Sequence, residues 1–133
     1  MVKLPLSKLE PWSPFENVVW GTDLEEPLTQ EEVKEAIASE DFKVDPDWSP
    51  DLDDRHHGRR AHVARVAYLV VHGWDDPIDF EADPHGWCIY DGNHRLAAAI
   101  FRGDTEIEVN VGGFLNYAAD LLGISEEELS QGF

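Results

Sequence analysis

No stretch constrains this chain more than Cys88-Ile89-Tyr90-Asp91-Gly92-Asn93-His94-Arg95-Leu96-Ala97-Ala98-Ala99. β-prone residues run into a glycine and then into an alanine-rich segment. That order predicts a strand, a tight turn and the first turn of a helix in immediate succession. His94 and Arg95 fall at the helix start. The first backbone N–H groups of a helix have no partner within it, and the helix dipole places partial positive charge there. An arginine fork and an imidazole at that point make a compact anion site, suited above all to phosphate. Gly92 permits a sharp turn and a close backbone approach to a ligand, with no Cβ in the way.

The remainder reads as a small mixed β-sheet packed with helices, an α+β fold. Residues 3 to 9 predict a short strand closed by Pro11. Residues 12 to 28, broken by Pro14, Gly21 and Pro27, predict irregular structure lined by Trp12, Phe15 and Trp20. Thr29 with Glu32 three residues on is a capping box, so a helix is expected from Gln30 to Ser39, burying Val33, Ala36 and Ile37. A polar, proline-broken segment covers Asp41 to Asp54. From Arg59 to His72, Val63, Val66, Ala67, Val70 and Val71 recur at helical spacing, and Gly73 supplies the C-cap. Arg65, Tyr68 and His72 fall on the opposite face. Pro77 to Phe80 and Trp87 to Tyr90 predict two strands, with a hairpin-like return through Gly86. The helix from Asn93 ends at Gly103. Thr105 to Val111 alternates, with Ile107, Val109 and Val111 inward. Phe114 to Leu122 predicts an amphipathic helix, and Ser125 with Glu128 a last acidic turn.

A length of 133 residues suits one domain, 1–133, with a real core. Hydrophobic content of 42% with five Trp, six Phe and three Tyr predicts a folded globule. No apolar run approaches the ~20 residues that span a bilayer, and the opening is not basic-then-apolar. The single cysteine excludes an internal disulfide and suits a reducing compartment, so the expected location is cytoplasmic. Net charge is −18, from 28 acidic and 10 basic residues, and it repels nucleic-acid phosphates. Direct nucleic-acid binding is therefore not expected. The balance fits an ordinary acidic soluble protein, a salt-adapted one, or a surface that imitates nucleic acid.

Three segments in order carry a resemblance: Lys3-Leu4-Pro5-Leu6-Ser7-Lys8-Leu9-Glu10-Pro11, then His72-Gly73-Trp74-Asp75-Asp76-Pro77-Ile78, then Asp91-Gly92-Asn93-His94-Arg95-Leu96. Together they resemble the ParB/sulfiredoxin-like superfamily, over roughly residues 3 to 112 with an unmatched stretch near 13 to 55. The resemblance implies a loop, Gly92 to Arg95, that cradles nucleotide phosphates. In the sulfiredoxin branch the residue before the His-Arg pair is the reactive cysteine; here it is Asn93, so sulfinic-acid repair is not expected, and Cys88 reads as a small buried hydrophobe. ParB partitioners usually carry arginine where His94 stands, and they continue into a DNA-reading helix-turn-helix. Here only one or two short helices follow.

Four constellations could carry chemistry. The first is Asp91, Asn93, His94 and Arg95, which serves either as an anion site, with His94 and Arg95 as candidate catalytic residues, or merely as a helix cap with Arg95 on a surface carboxylate. The second is Arg55-His56-His57-Gly58-Arg59-Arg60-Ala61-His62 with Arg65 beyond. These positive groups either neutralise Asp51, Asp53 and Asp54, or they complete the anion pocket through Arg59, Arg60 and Arg65. The third, Asp53, Asp54, His56 and His57 with His62, lacks good zinc spacing, and no zinc is expected. A Mg²⁺ ion arriving with a nucleotide needs only one or two carboxylates, and Asp91 is the candidate. The fourth is catalysis proper: no Ser-His-Asp order, nucleophile elbow or Walker loop is present. The expected function is binding of a nucleotide or phosphorylated small molecule, with nucleotide hydrolysis or phosphoryl transfer if the chain is an enzyme. The rival is an acidic interaction protein, such as a plasmid- or phage-type inhibitor that occupies a nucleic-acid-binding partner.

Overall fold

The computed structural model describes residues 1–20, 24–42, 58–82 and 89–130, with Tyr90 and Asp91 as backbone only. Four strands, β1 (Val2–Pro5), β2 (Ile78–Ala82), β3 (Ile89–Asp91) and β4 (Glu106–Gly113), form one mixed sheet in the order β1-β4-β2-β3. β4 runs antiparallel to β1, with Leu4 opposite Ile107, and parallel to β2, with Ile78 opposite Val109. β3 pairs antiparallel with β2, and the register shifts between Asp79 and Phe80, a bulge beside the Gly92 turn.

The pleat sorts the side chains. Leu4, Ile78, Phe80, Ala82, Ile107, Val109 and Val111 are buried on one face. Lys3, Asp79, Glu81, Glu106, Glu108 and Asn110 alternate with them and stay partly or fully exposed. The alternation expected for Thr105 to Val111 is what β4 shows.

Among the described residues, five α-helices accompany the sheet: α1 (Gln30–Ala38), α2 (Arg59–His72), α3 (Asn93–Arg102), α4 (Leu115–Leu122) and α5 (Glu126–Leu129). α1 begins at the expected capping box: Glu32 N–H donates to Thr29 Oγ1, and Thr29 N–H donates back to the Glu32 carboxylate. α2 has the predicted ends, with Gly73 closing it at φ +78. Two apolar clusters form the core. One joins the sheet face to Leu96 and Ala99 of α3 and to α4 and α5; the other joins α1 and α2 to Ala97 and Ala98 of α3. α3 is thus the element common to both, and its alanines let neighbours approach on every side.

One expected strand is shorter than its sequence suggests. β1 stops at Pro5, and Leu6–Trp12 forms a 3-10 helix. Leu6 and Leu9 are both buried. A helix of three residues per turn puts that pair on one face, whereas a strand would send them to opposite faces. Among the described residues, no helix is long and apolar enough to cross a membrane.

Candidate anion site at the start of α3

Strand β3, Gly92 and α3 follow in the predicted order, and Gly92 takes φ +105, ψ 20. The reason for glycine there is packing. A Cβ would lie 2.8 Å from Ile78 Cβ and 3.1 Å from Ile78 Cα, and closer still to Ile78 Cγ2. The space expected to admit a ligand against Gly92 is therefore filled by β2, and the glycine lets α3 sit directly on that strand.

Among the described residues no side chain caps α3, and its first turn contains no acidic residue. Beside it lies a cavity of about 200 Å³ lined by Pro11, Trp12, Asn17, Val18, Val19, Ile89 and Asn93. Asn93 Oδ1 is buried and has no hydrogen-bond partner among the described residues. An unsatisfied buried acceptor costs roughly 1–3 kcal/mol. Trp12 is held edge-on against Phe80, with ring centroids 5.0 Å apart.

The described hydrogen bonds of Arg95 reach the backbone. Its Nη1 donates to the carbonyls of Asp76, at 3.0 Å, and Pro77, at 2.7 Å, and ties the entry of β2 to the α3 start. His94 meets α2. Its Nε2 lies 2.9 Å from Nδ1 of His62, and the Trp20 indole stacks over both imidazoles at 4.4 Å (His62) and 4.6 Å (His94) between centroids. His62 is only 1% exposed.

The other cations expected at this pocket make their described hydrogen bonds elsewhere. Arg59 grips the Glu32 carboxylate, with Nε to Oε2 at 2.7 Å, and donates to the carbonyls of Glu26 and Pro27. That guanidinium, more than any other group, holds the Glu32 carboxyl below its ordinary value, and Glu32 raises Arg59 in return. Arg60 forms a bidentate pair with Asp41 at the surface, likewise lowering the Asp41 carboxyl. Arg65 lies over the Tyr68 ring at 5.6 Å. The described partners of Arg59 and Arg60 come from the segment before α1, from α1 itself and from the turn after it. Asp51, Asp53 and Asp54, with Arg55, His56, His57 and Cys88, lie outside the described residues, as does the Asp91 side chain. Among the described residues, no group of three or more His, Cys, Asp or Glu could hold a metal ion.

The sequence names His62 and Trp20 among its candidates, but nothing in it brings them to His94. His62 sits on the apolar stripe of α2, four residues before Val66 and seven before Leu69, and a histidine on a buried stripe is a signal that it has a partner. The sequence separation of 32 from His94 hid which partner. Compared with family models, curated proteins and solved structures, the chain matches none.

Proposed function

We propose that this chain is a ParB/sulfiredoxin-like domain that binds a nucleotide, or another small molecule carrying both phosphate and hydroxyl or amino groups, at the start of α3. The reading places it in the cytoplasm. The observation that carries it is a cavity lined by Trp12 and Asn93 beside the start of α3, with Asn93 Oδ1 buried and without a hydrogen-bond partner among the described residues. An acceptor asks for a donor, which a bare phosphate at neutral pH supplies poorly and a ribose hydroxyl or base amino group supplies well. About 200 Å³ has room for one ring against Trp12, not for a whole nucleotide. The phosphates would then lie outside it, on the first-turn amides of α3 with His94. Any Mg²⁺ would come with them, with Asp91 as its candidate ligand, and phosphoryl transfer or hydrolysis would draw on His94 and Arg95 for charge neutralisation.

The test is a thermal-shift series with the four NTPs, ADP, ribose 5-phosphate and pyrophosphate, with and without Mg²⁺. A ligand that binds the native state alone raises apparent stability by mass action. The expected result is a larger shift for a nucleotide than for pyrophosphate, reduced by Asn93→Leu. Equal shifts, or none, would refute it.

A second reading is the acidic interaction protein. It is favoured by the exposed sheet face, where Asp79, Glu81, Glu106 and Glu108 cluster, and by the commitment of Arg59 and Arg60 to carboxylates. Replacing those four acids by Asn or Gln should abolish partner capture under this reading and leave nucleotide shifts untouched under the first.

A further inference from the structure

We propose that a pocket at the far end of α3 binds a linear polyamine. The pocket measures about 400 Å³, and its walls include Trp74 and Asp75 after α2, Arg102 in the last turn of α3, and Glu106 and Glu108 of β4. At 1.5 Å per residue, α3 carries Arg102 about 14 Å from Asn93, so this pocket is separate from the one at the helix start. Its charges are one-sided. Arg102 Nε lies 3.4 Å from Asp104 Oδ1, so that cation is already matched. Among the described residues, Asp75, Glu106 and Glu108 make no side-chain hydrogen bond or ion pair, and Lys3, opposite Glu108 in the β1–β4 ladder, makes none either. Three unpaired carboxylates thus line the pocket, with one unpaired cation on the neighbouring strand.

Two observations say what kind of cation fits. The first is that the Trp74 indole already holds one: the guanidinium carbon of Arg102 stands 4.9 Å from the ring centroid. An aromatic face attracts organic cations through its quadrupole, and tryptophan does so best. Trp74 is held for the purpose by packing against both apolar clusters. The second is spacing. Among the described residues, no three acidic or imidazole groups lie close enough to hold one metal ion. Glu106 and Glu108 are two residues apart on β4, so they leave the same sheet face about 7 Å from each other. A single small ion would satisfy one carboxylate and leave the rest. A chain with ammonium groups several atoms apart satisfies more than one, and its methylenes cover apolar surface as a lysine stem does. The net charge of −18 draws such a polycation inward. Arg102 is then the internal competitor, holding the indole until the ligand takes it.

The experiment is calorimetric titration with spermidine, without nucleotide, at physiological salt, where charges beyond about 8 Å are largely screened. Glu106→Gln with Glu108→Gln should weaken binding about fivefold or more. Asp79→Asn with Glu81→Gln removes the same charge from the same sheet face but outside the pocket, and should change affinity less than about twofold. Arg102→Gln removes the competitor and frees the Asp104 carboxylate. It should tighten binding about two- to fivefold, a gain that a misfolded variant cannot produce. Absence of spermidine binding overturns the proposal, as do equal losses in the two double variants, or unchanged or weaker binding by a folded Arg102→Gln. Tighter binding of the peptide acetyl-Lys-Ala-Lys-amide than of spermidine also overturns it, because the pocket would then seat a protein partner's side chains. If Arg102→Gln does not fold, the two double variants decide. None of these outcomes touches the nucleotide reading, since the two pockets share no lining residue.

Discussion

Gly92→Ala should cost this protein far more than a helix-flanking glycine usually does, and the excess can be worked out. An L-residue at φ +105 carries conformational strain of about 1–2 kcal/mol. The added methyl would also press on Ile78, at 2.8 Å from its Cβ and 3.1 Å from its Cα. Ile78 is fully buried in β2, which has β4 on one side and β3 on the other, so its backbone has nowhere to yield. Overpacking of that kind costs about 1–3 kcal/mol, for a total of about 2–5 kcal/mol. Domains of this size hold about 5–15 kcal/mol altogether. Gly103→Ala is the internal control. It closes the other end of α3 at φ +74, but a Cβ there meets nothing within 4 Å, so only the strain of about 1–2 kcal/mol applies. Urea unfolding with a linear extrapolation should therefore separate the two variants by about 1–3 kcal/mol at unchanged m. Adding Ile78→Ala to Gly92→Ala removes the nearest atom, Cγ2, and the double variant should be less damaged than the sum of the two. Equal losses for Gly92→Ala and Gly103→Ala would refute the packing argument.

Arg95→Ala should lower stability by about 1–3 kcal/mol, because a charged donor then leaves the carbonyls of Asp76 and Pro77; Arg95→Lys should recover only part of it in the same urea series. Glu32 supplies a pH dependence. Its folded value lies below the ordinary 4.5, so its contribution is present above pH 4.5 and is lost as pH falls through the lower folded value. The stability gap between wild type and Glu32→Gln should accordingly shrink on acidification below pH 4.5, and a gap independent of pH would count against the Arg59 pairing. Arg59→Gln should lower the melting temperature while Arg60→Gln leaves it nearly unchanged, since Arg59 also binds two backbone carbonyls and the Arg60 side chain is 72% exposed.

Local signals made most elements legible. Thr29 and Glu32 announced the start of α1, and the alternation of Ile107, Val109 and Val111 announced β4, because both rest on neighbours a few residues apart. The failure at Leu6–Trp12 was also local: a leucine pair three residues apart carries a 3-10 signature that a strand reading overrode. The site was half legible. Asn93, His94 and Arg95 were read correctly as the opening of α3, but the partners of each are set by tertiary packing. The Arg95 carbonyl contacts, the His62 bond, the Arg59 pairing across to α1 and the Ile78 contact at Gly92 all join segments that no spacing rule relates.

The strand order has a consequence for how copies of this chain meet one another. β1 and β3 form the two margins of the sheet, and open margins are where a foreign strand can add and seed aggregation. Here the β1 margin is cut short: it has four residues, ending in a proline that has no N–H to give. Lys3 places a charge in the middle of β1, and a net charge of −18 on every molecule adds long-range repulsion at low salt. Concentrated solutions should therefore resist fibril-like growth through sheet extension, and substituting Pro5 and Lys3 by Val is the change that should make it measurable by thioflavin binding.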